Sequence, residues 1–190
     1  MLRIVSGEFG GRRIRAPRSR ETRPTAERIR EAWFSALGQR LPGARVVDLF
    51  AGSGALGLEA LSRGAARAHF VESDHRVALT IRENIQALGV EERASLIVRD
   101  VFAYLGGGDR GGRDVEPFDI ALADPPYSSN AVSRLVERFR DKPFARLLCV
   151  EYAASLGDLG EESLWTRKYG QTRLTFLTSD PIDHSRELSE

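Results

Sequence analysis

Val46-Val47-Asp48-Leu49-Phe50-Ala51-Gly52-Ser53-Gly54-Ala55-Leu56-Gly57 is the stretch that decides the fold. Its first five residues are apolar except for one acid, the signature of a strand covered on both faces. Gly52-x-Gly54-x-x-Gly57 follows at once and opens an apolar helical stretch through Leu61. Strand, glycine loop and helix together form the context in which this spacing holds a ribose-bearing cofactor. Without a Cβ, the first glycines let the chain turn sharply and approach a ligand closely. Such a loop needs an acid at the end of the next strand. Glu72 stands there, 18 residues beyond Gly54, where a carboxylate can accept both ribose hydroxyls.

Outward from this loop the chain alternates. Strands are expected over 45–50, 67–72, 94–99, 118–123 and 146–151, and helices over 55–63, 75–88, 101–105 and 130–140. This pattern predicts an α/β fold: a Rossmann-like, mostly parallel, seven-stranded sheet with helices on both faces. Residues 169–177 alternate like a strand entered from a turn, so a hairpin should close the sheet. Upstream, 2–6 and 12–16 read as short strands around Glu8-Phe9-Gly10-Gly11. Pro17 ends that hairpin, and 18–23 form an arginine-rich link. Thr25 is expected to cap a helix over about 26–38, with Ile29, Trp33, Ala36 and Leu37 on one face and Gly38 as its stop. The break at Leu41-Pro42-Gly43 divides the chain into an extension, 1–40, and a main domain, 41–190. The glycine-rich stretch 106–114 reads as a loop without visible chemistry.

Composition narrows the classes. No apolar run approaches the ~20 residues of a membrane helix, and the first residues lack the apolar segment of a signal peptide. A cytoplasmic protein with no membrane partner is expected. Cys149 is the single cysteine, so no intrachain disulfide or cysteine-based zinc site can form. His69, His75 and His184 lack metal-ligand spacing, and no metal is expected. The formal net charge of +1 conceals an asymmetry: residues 1–40 hold ten arginines against four glutamates, a local +6 that leaves −5 for the rest. A basic arm on a mildly acidic body suggests a polyanion docking at the N-terminal end. The plainer alternative is a solvated surface in an arginine-rich chain, whose only lysines are Lys142 and Lys168.

NAD and S-adenosylmethionine both carry adenosine, but NAD brings a pyrophosphate to the helix N-terminus. Asp48, ending the first strand of the motif, would repel a pyrophosphate and can orient an ammonium. Its alternative role is to cap the following turn. Asp100 can accept a hydrogen bond from the adenine amine or cap a short helix. The expected cofactor cradle comprises Asp48, Phe50, Ala51, Gly52, Ser53, Gly54, Glu72, Ser73, Asp100, Val101 and Asp124.

A second motif, Asp124-Pro125-Pro126-Tyr127, leaves the apolar run 118–123. The exocyclic amine of a nucleobase is a poor nucleophile because its lone pair is delocalised into the ring. Acceptors that hold both N–H bonds turn that lone pair toward a methyl carbon. Asp124 supplies one, and the carbonyl of Pro125 can supply another, with both prolines fixed in φ. Tyr127 offers a face on which an extruded base stacks. Asp124, Pro125, Pro126 and Tyr127 are therefore the candidate catalytic residues. The alternative is a Pro-Pro turn whose acid caps the next helix. Cys149, inside an apolar run, reads as core.

With these motifs in place, the sequence resembles the bacterial small-subunit rRNA guanine-N2 methyltransferases, the RsmD family. The resemblance rests on Arg3-Ile4-Val5-Ser6-Gly7, Gly10-Gly11-Arg12-Arg13-Ile14, residues 22–32, residues 48–64, Phe70-Val71-Glu72, Asp124-Pro125-Pro126-Tyr127 and Tyr169-Gly170. It covers nearly the whole chain, and the N-terminal blocks are its specific part. It implies a class I methyltransferase fold, S-adenosyl-L-methionine as cofactor with S-adenosyl-L-homocysteine as product, and transfer to the N2 amine of guanine 966 of 16S rRNA. It further implies an N-terminal hairpin that engages RNA and a substrate within the assembling or assembled 30S subunit, met by a monomer. Arg12, Arg13, Arg15, Arg23 and Tyr127 are the candidate substrate contacts. A DNA adenine-N6 methyltransferase, a nucleotide-binding dehydrogenase and a non-catalytic RNA-binding assembly factor remain as alternatives at this point.

Overall fold

The computed structural model describes residues 1–16, 24–106, 116–126, 130–160 and 163–179. Strands β1 (Leu2–Arg3) and β2 (Arg13–Ile14) form a small hairpin, followed by helix α1 (Pro24–Leu37). Then β3 (Arg45–Leu49), α2 (Ala55–Ser62), β4 (Arg67–Glu72), α3 (His75–Leu88), β5 (Ala94–Val98), α4 (Val101–Leu105), β6 (Phe118–Ala123), α5 (Ala131–Asp141) and β7 (Ala145–Ala153) alternate. A hairpin of β8 (Ser163–Tyr169) and β9 (Thr172–Thr178) completes the sheet. The order is β5-β4-β3-β6-β7-β9-β8, parallel except where β9 pairs with β7 and β8. This is the mostly parallel, seven-stranded Rossmann-like sheet of class I methyltransferases.

Side chains alternate across each strand, so consecutive apolar residues feed opposite cores. Val46, Phe70, Ile120, Leu122 and Cys149 pack with Leu58 and Leu61 of α2 and Ile81 and Ile85 of α3. Val47, Leu49, Ala121, Ala123 and Val150 pack with Leu135, Val136 and Phe139 of α5. Each such burial is worth about 1.5–3 kcal/mol for a large apolar side chain. Ile29, Trp33, Phe34 and Leu37 of α1, with Ile4, Phe9 and Ile14 of the hairpin, join the first of these cores.

Two local expectations change. Helix α1 begins at Pro24, which places Thr25 inside the first turn rather than at the cap. Proline suits a first helical position, because the N–H it lacks would have no intrahelical acceptor. The hairpin strands are also shorter than 2–6 and 12–16. Beyond Arg3, the N–H groups of Val5 and Ser6 turn to the Glu59 carboxylate, at 2.7 and 3.0 Å. Beyond Ile14, the main chain of Arg15 pairs with the Asn84 side chain instead of a strand, its N–H donating at 2.7 Å and its carbonyl accepting at 3.0 Å.

The register positions the site. Strand β3 pairs with β4 on one side and β6 on the other, so the strand order reverses there, and ligands of open α/β sheets bind in that crevice. Leu49 lies opposite Ala123, which brings Phe50 and Asp124, the next residues of each chain, out at one level.

Candidate active site

The glycine loop folds back on the neighbouring strand end. Gly52, at φ 57°, donates its N–H to Glu72 Oε2 at 2.9 Å. Glu72 Oε1 accepts from the N–H of Asp74 at 2.9 Å. Each carboxylate oxygen thus has one backbone donor and keeps acceptor capacity, and the side chain remains partly exposed. Gly54, at φ 77°, caps α2, and Phe50 is the one non-glycine among the described residues with positive φ, 60°. A phenylalanine is strained there, and strain of this kind clusters where a backbone is shaped for a ligand. Ala51 completes the turn, its N–H donating to the Val71 carbonyl at 3.0 Å.

Asp48 is buried, and its Oδ2 accepts the N–H of Gly57 at 2.9 Å, in the first turn of α2. A protein carboxylate therefore already occupies the helix N-terminus that a pyrophosphate would use. Asp100 caps α4 by accepting from the Ala103 N–H at 2.9 Å and is exposed at the end of β5. Ser73 is exposed beside Glu72, while Ser53 is buried, with its carbonyl accepting from Asn84 Nδ2 at 2.9 Å. The Val101 side chain is buried in the second core, so its main chain is what it can offer a ligand. Glu72 and Asp100 at adjacent strand ends, with the glycine loop beside them and buried Asp48 behind it, make a cradle suited to hydroxyls and an amine. Its donor set fits S-adenosylmethionine and disfavours a dinucleotide.

Asp124 leaves β6 partly exposed at the far side of the crevice, followed by buried Pro125 and exposed Pro126. Tyr127 lies outside the described residues. Burial pushes the Cys149 thiol well above its ordinary range, as suits a core residue rather than a nucleophile.

Sequence patterns did not reveal an aromatic wall beside the cradle. Phe102 of α4 meets the edge of Phe50 at 6.2 Å between centroids, and the Arg134 guanidinium of α5 lies 3.8 Å over its ring. The N-terminal arginines differ among themselves. Arg12 donates to the Ala87 carbonyl in the last turn of α3 and lies 5.8 Å over the Phe9 ring. Arg15 pairs with Glu83 at 2.8 Å. Arg13 is exposed on β2, and Arg23 lies outside the described residues. The hairpin itself is bolted down. Buried Glu59 receives Val5, Ser6 and Arg63 Nε, and Ser62 Oγ accepts from Phe9 at 2.9 Å and donates to the Ser6 carbonyl at 2.6 Å. Gly7 is required here, because a Cβ would come within 2.0 Å of the Ser62 carbonyl oxygen.

The family described as "Conserved hypothetical protein 95" matches residues 2–178. The chain belongs to this family, that of the RsmD methyltransferases. It is 36% identical over 155 residues to ribosomal RNA small subunit methyltransferase D of Haemophilus influenzae, covering 79% of this chain and 78% of that protein. To the protein of the same name from Escherichia coli K12 it is 34% identical over 140 residues, covering 74% and 67%. Its backbone is similar to the solved structure of a hypothetical protein of Thermus thermophilus, with a TM-score of 0.79 and 29% identity, covering 94% of this chain and 99% of that one.

Proposed function

We propose that the protein transfers the methyl group of S-adenosyl-L-methionine to the exocyclic N2 amine of guanine 966 in small-subunit 16S rRNA, releasing S-adenosyl-L-homocysteine. The observation that carries this reading is the shared level of Phe50 and Asp124 on adjacent strands, which sets the cofactor loop and the acceptor loop on the two walls of one crevice. Relatives that bear the name of rRNA small subunit methyltransferases support the RNA substrate.

In this reading Glu72 holds the ribose hydroxyls, Asp100 and the Val101 main chain meet the adenine, and the glycine loop with Ser73 lines the remainder. Asp48 fixes the helix N-terminus and faces the amino-acid end. The cofactor supplies an electrophilic methyl on a sulfonium. Asp124 and the Pro125 carbonyl hold the two N–H bonds of the target amine, directing its lone pair at that methyl, and Tyr127 stacks on the extruded base. Alignment of the amine by Asp124 and the Pro125 carbonyl in a partly desolvated site would carry most of the rate, and the proton shed by the methylated amine would pass to the Asp124 carboxylate and on to solvent. Residues 1–40 act as an RNA-engaging extension of the catalytic domain 41–190. The substrate is the assembling or assembled 30S subunit, met by a cytoplasmic monomer.

Purified small subunits from cells lacking this activity, incubated with the protein and methyl-labelled S-adenosylmethionine, test the reading. Label recovered as N2-methylguanosine is the expected result. Label on adenine N6, or none on the rRNA, overturns it.

A further inference from the structure

The sheet does not end at the level of the site. Strand β7 continues three residues past the pairing of Val150 with Ala123, through Glu151, Tyr152 and Ala153, each matched by β9. At about 3.3 Å per residue, this edge rises roughly 10 Å above the end of β6. The N–H of Ala154 donates to the Gln171 carbonyl at 2.7 Å and extends the wall to the β8–β9 turn. Across the sheet, Arg167 pairs with Leu174, which pairs with Glu151, the residue level with Asp124. Lys168 stands one step higher. Three strand spacings separate β6 from β8, about 14 Å, within reach of the backbone flanking a nucleotide bound at Asp124.

The positive charge on this wall is only partly neutralised within the chain. Lys168 lies directly opposite Arg173, and like charges in register destabilise an antiparallel pair. Arg173 is balanced by an ion pair with Asp158. Arg167 and Lys168 are exposed and, among the described residues, have no carboxylate partner. The Arg167 guanidinium lies 5.5 Å over the Trp165 ring, itself packed on Phe176 at 4.8 Å, so its planar fork is presented by a rigid base. Leu156, 48% exposed, crests the same end. Arg12 and Arg15, by contrast, are engaged within the chain.

We propose that the edge strand β8, through Arg167 on one face of the sheet and Lys168 on the other, is a second phosphate-contacting edge for the rRNA substrate. It lies toward the opposite edge of the sheet from the N-terminal hairpin, which packs on α2 and α3 beside β3 and β4. The inference rests on the proposed RNA methylation. RNA would then be gripped on both flanks of the crevice, with the target base between them.

The test compares wild type with Arg167→Ala/Lys168→Ala and with Lys168→Ala alone, which leaves the Arg167–Trp165 stack intact. Affinity for small subunits is measured across a salt series, and affinity for S-adenosylhomocysteine alongside. The double variant should bind subunits roughly tenfold more weakly, with the slope of log K against log salt flattened by about 1.4–1.8, and Lys168→Ala by about half of that. S-adenosylhomocysteine affinity should be unchanged. Unaltered subunit affinity and slope in both variants, with wild type methylating subunits normally, overturns this inference alone. A wild type that fails to methylate subunits overturns the function on which it rests.

Discussion

In the proposed reaction Asp124 and Glu72 divide the chemistry between target and cofactor, and their substitutions should separate accordingly. With Asp124 holding the amine as proposed, Asp124→Ala should lower turnover by an amount equivalent to about 2.7–4 kcal/mol, the scale of a lost oriented transition-state contact. Its affinity for S-adenosylhomocysteine should stay close to wild type. Turnover above a tenth of wild type would remove Asp124 from the mechanism. Glu72 also ties Gly52 to the end of β4. Glu72→Ala should therefore weaken the cofactor by ~1.5–3 kcal/mol, the scale of hydrogen bonds to a charged group, while RNA affinity holds. Calorimetric titration reads this directly, and an unchanged dissociation constant would exclude Glu72 as the ribose acceptor. The position of both acids at strand ends was legible in the sequence, because each ends an apolar run whose strand character is local. The left-handed Phe50 was not legible, since nothing in its side chain requests a positive φ.

Helix α2 does two jobs with two ends. Its first turn presents the glycine loop, while Glu59 and Ser62 farther along fasten the N-terminal hairpin. A buried carboxylate that satisfies two backbone donors and an arginine is costly to remove, because its partners are left desolvated. Glu59→Ala should destabilise the fold by about 3–5 kcal/mol in a denaturant titration. Glu59→Gln, which keeps one acceptor, should lose less. Equal stability of Glu59→Ala and wild type would mean that the hairpin is held by its apolar residues alone. Periodicity located α2 to within a residue of its observed end, yet it hid this clamp. The contacts join residues more than fifty apart in sequence, and an acid amid an apolar helical run carries no sign of which backbone it will meet. Charge counting located the basic arm but not its internal contacts for a related reason: Arg12 and Arg15 also find partners on α3.

At the scale of the molecule, the reversal of strand order at β3 creates the crevice, and everything else flanks it. In the proposed reaction the strand ends of β3, β4 and β5 form the cofactor side and the end of β6 the target side. The N-terminal hairpin and the raised β7–β9–β8 edge stand to either side. This arrangement is why an α/β alternation read from sequence led to a candidate site and not only to a fold. Tyr127 and Arg23, two of the candidate substrate contacts, lie outside the described residues.

Methylation of one guanine amine in small-subunit rRNA can be read by nucleoside mass spectrometry of 16S rRNA, on cells lacking this gene and complemented with wild type or with Asp124→Ala. N2-methylguanosine should be lost at one position, restored by wild type and not by the variant. An unchanged N2-methylguanosine content, or loss of N6-methyladenosine in its place, would contradict it.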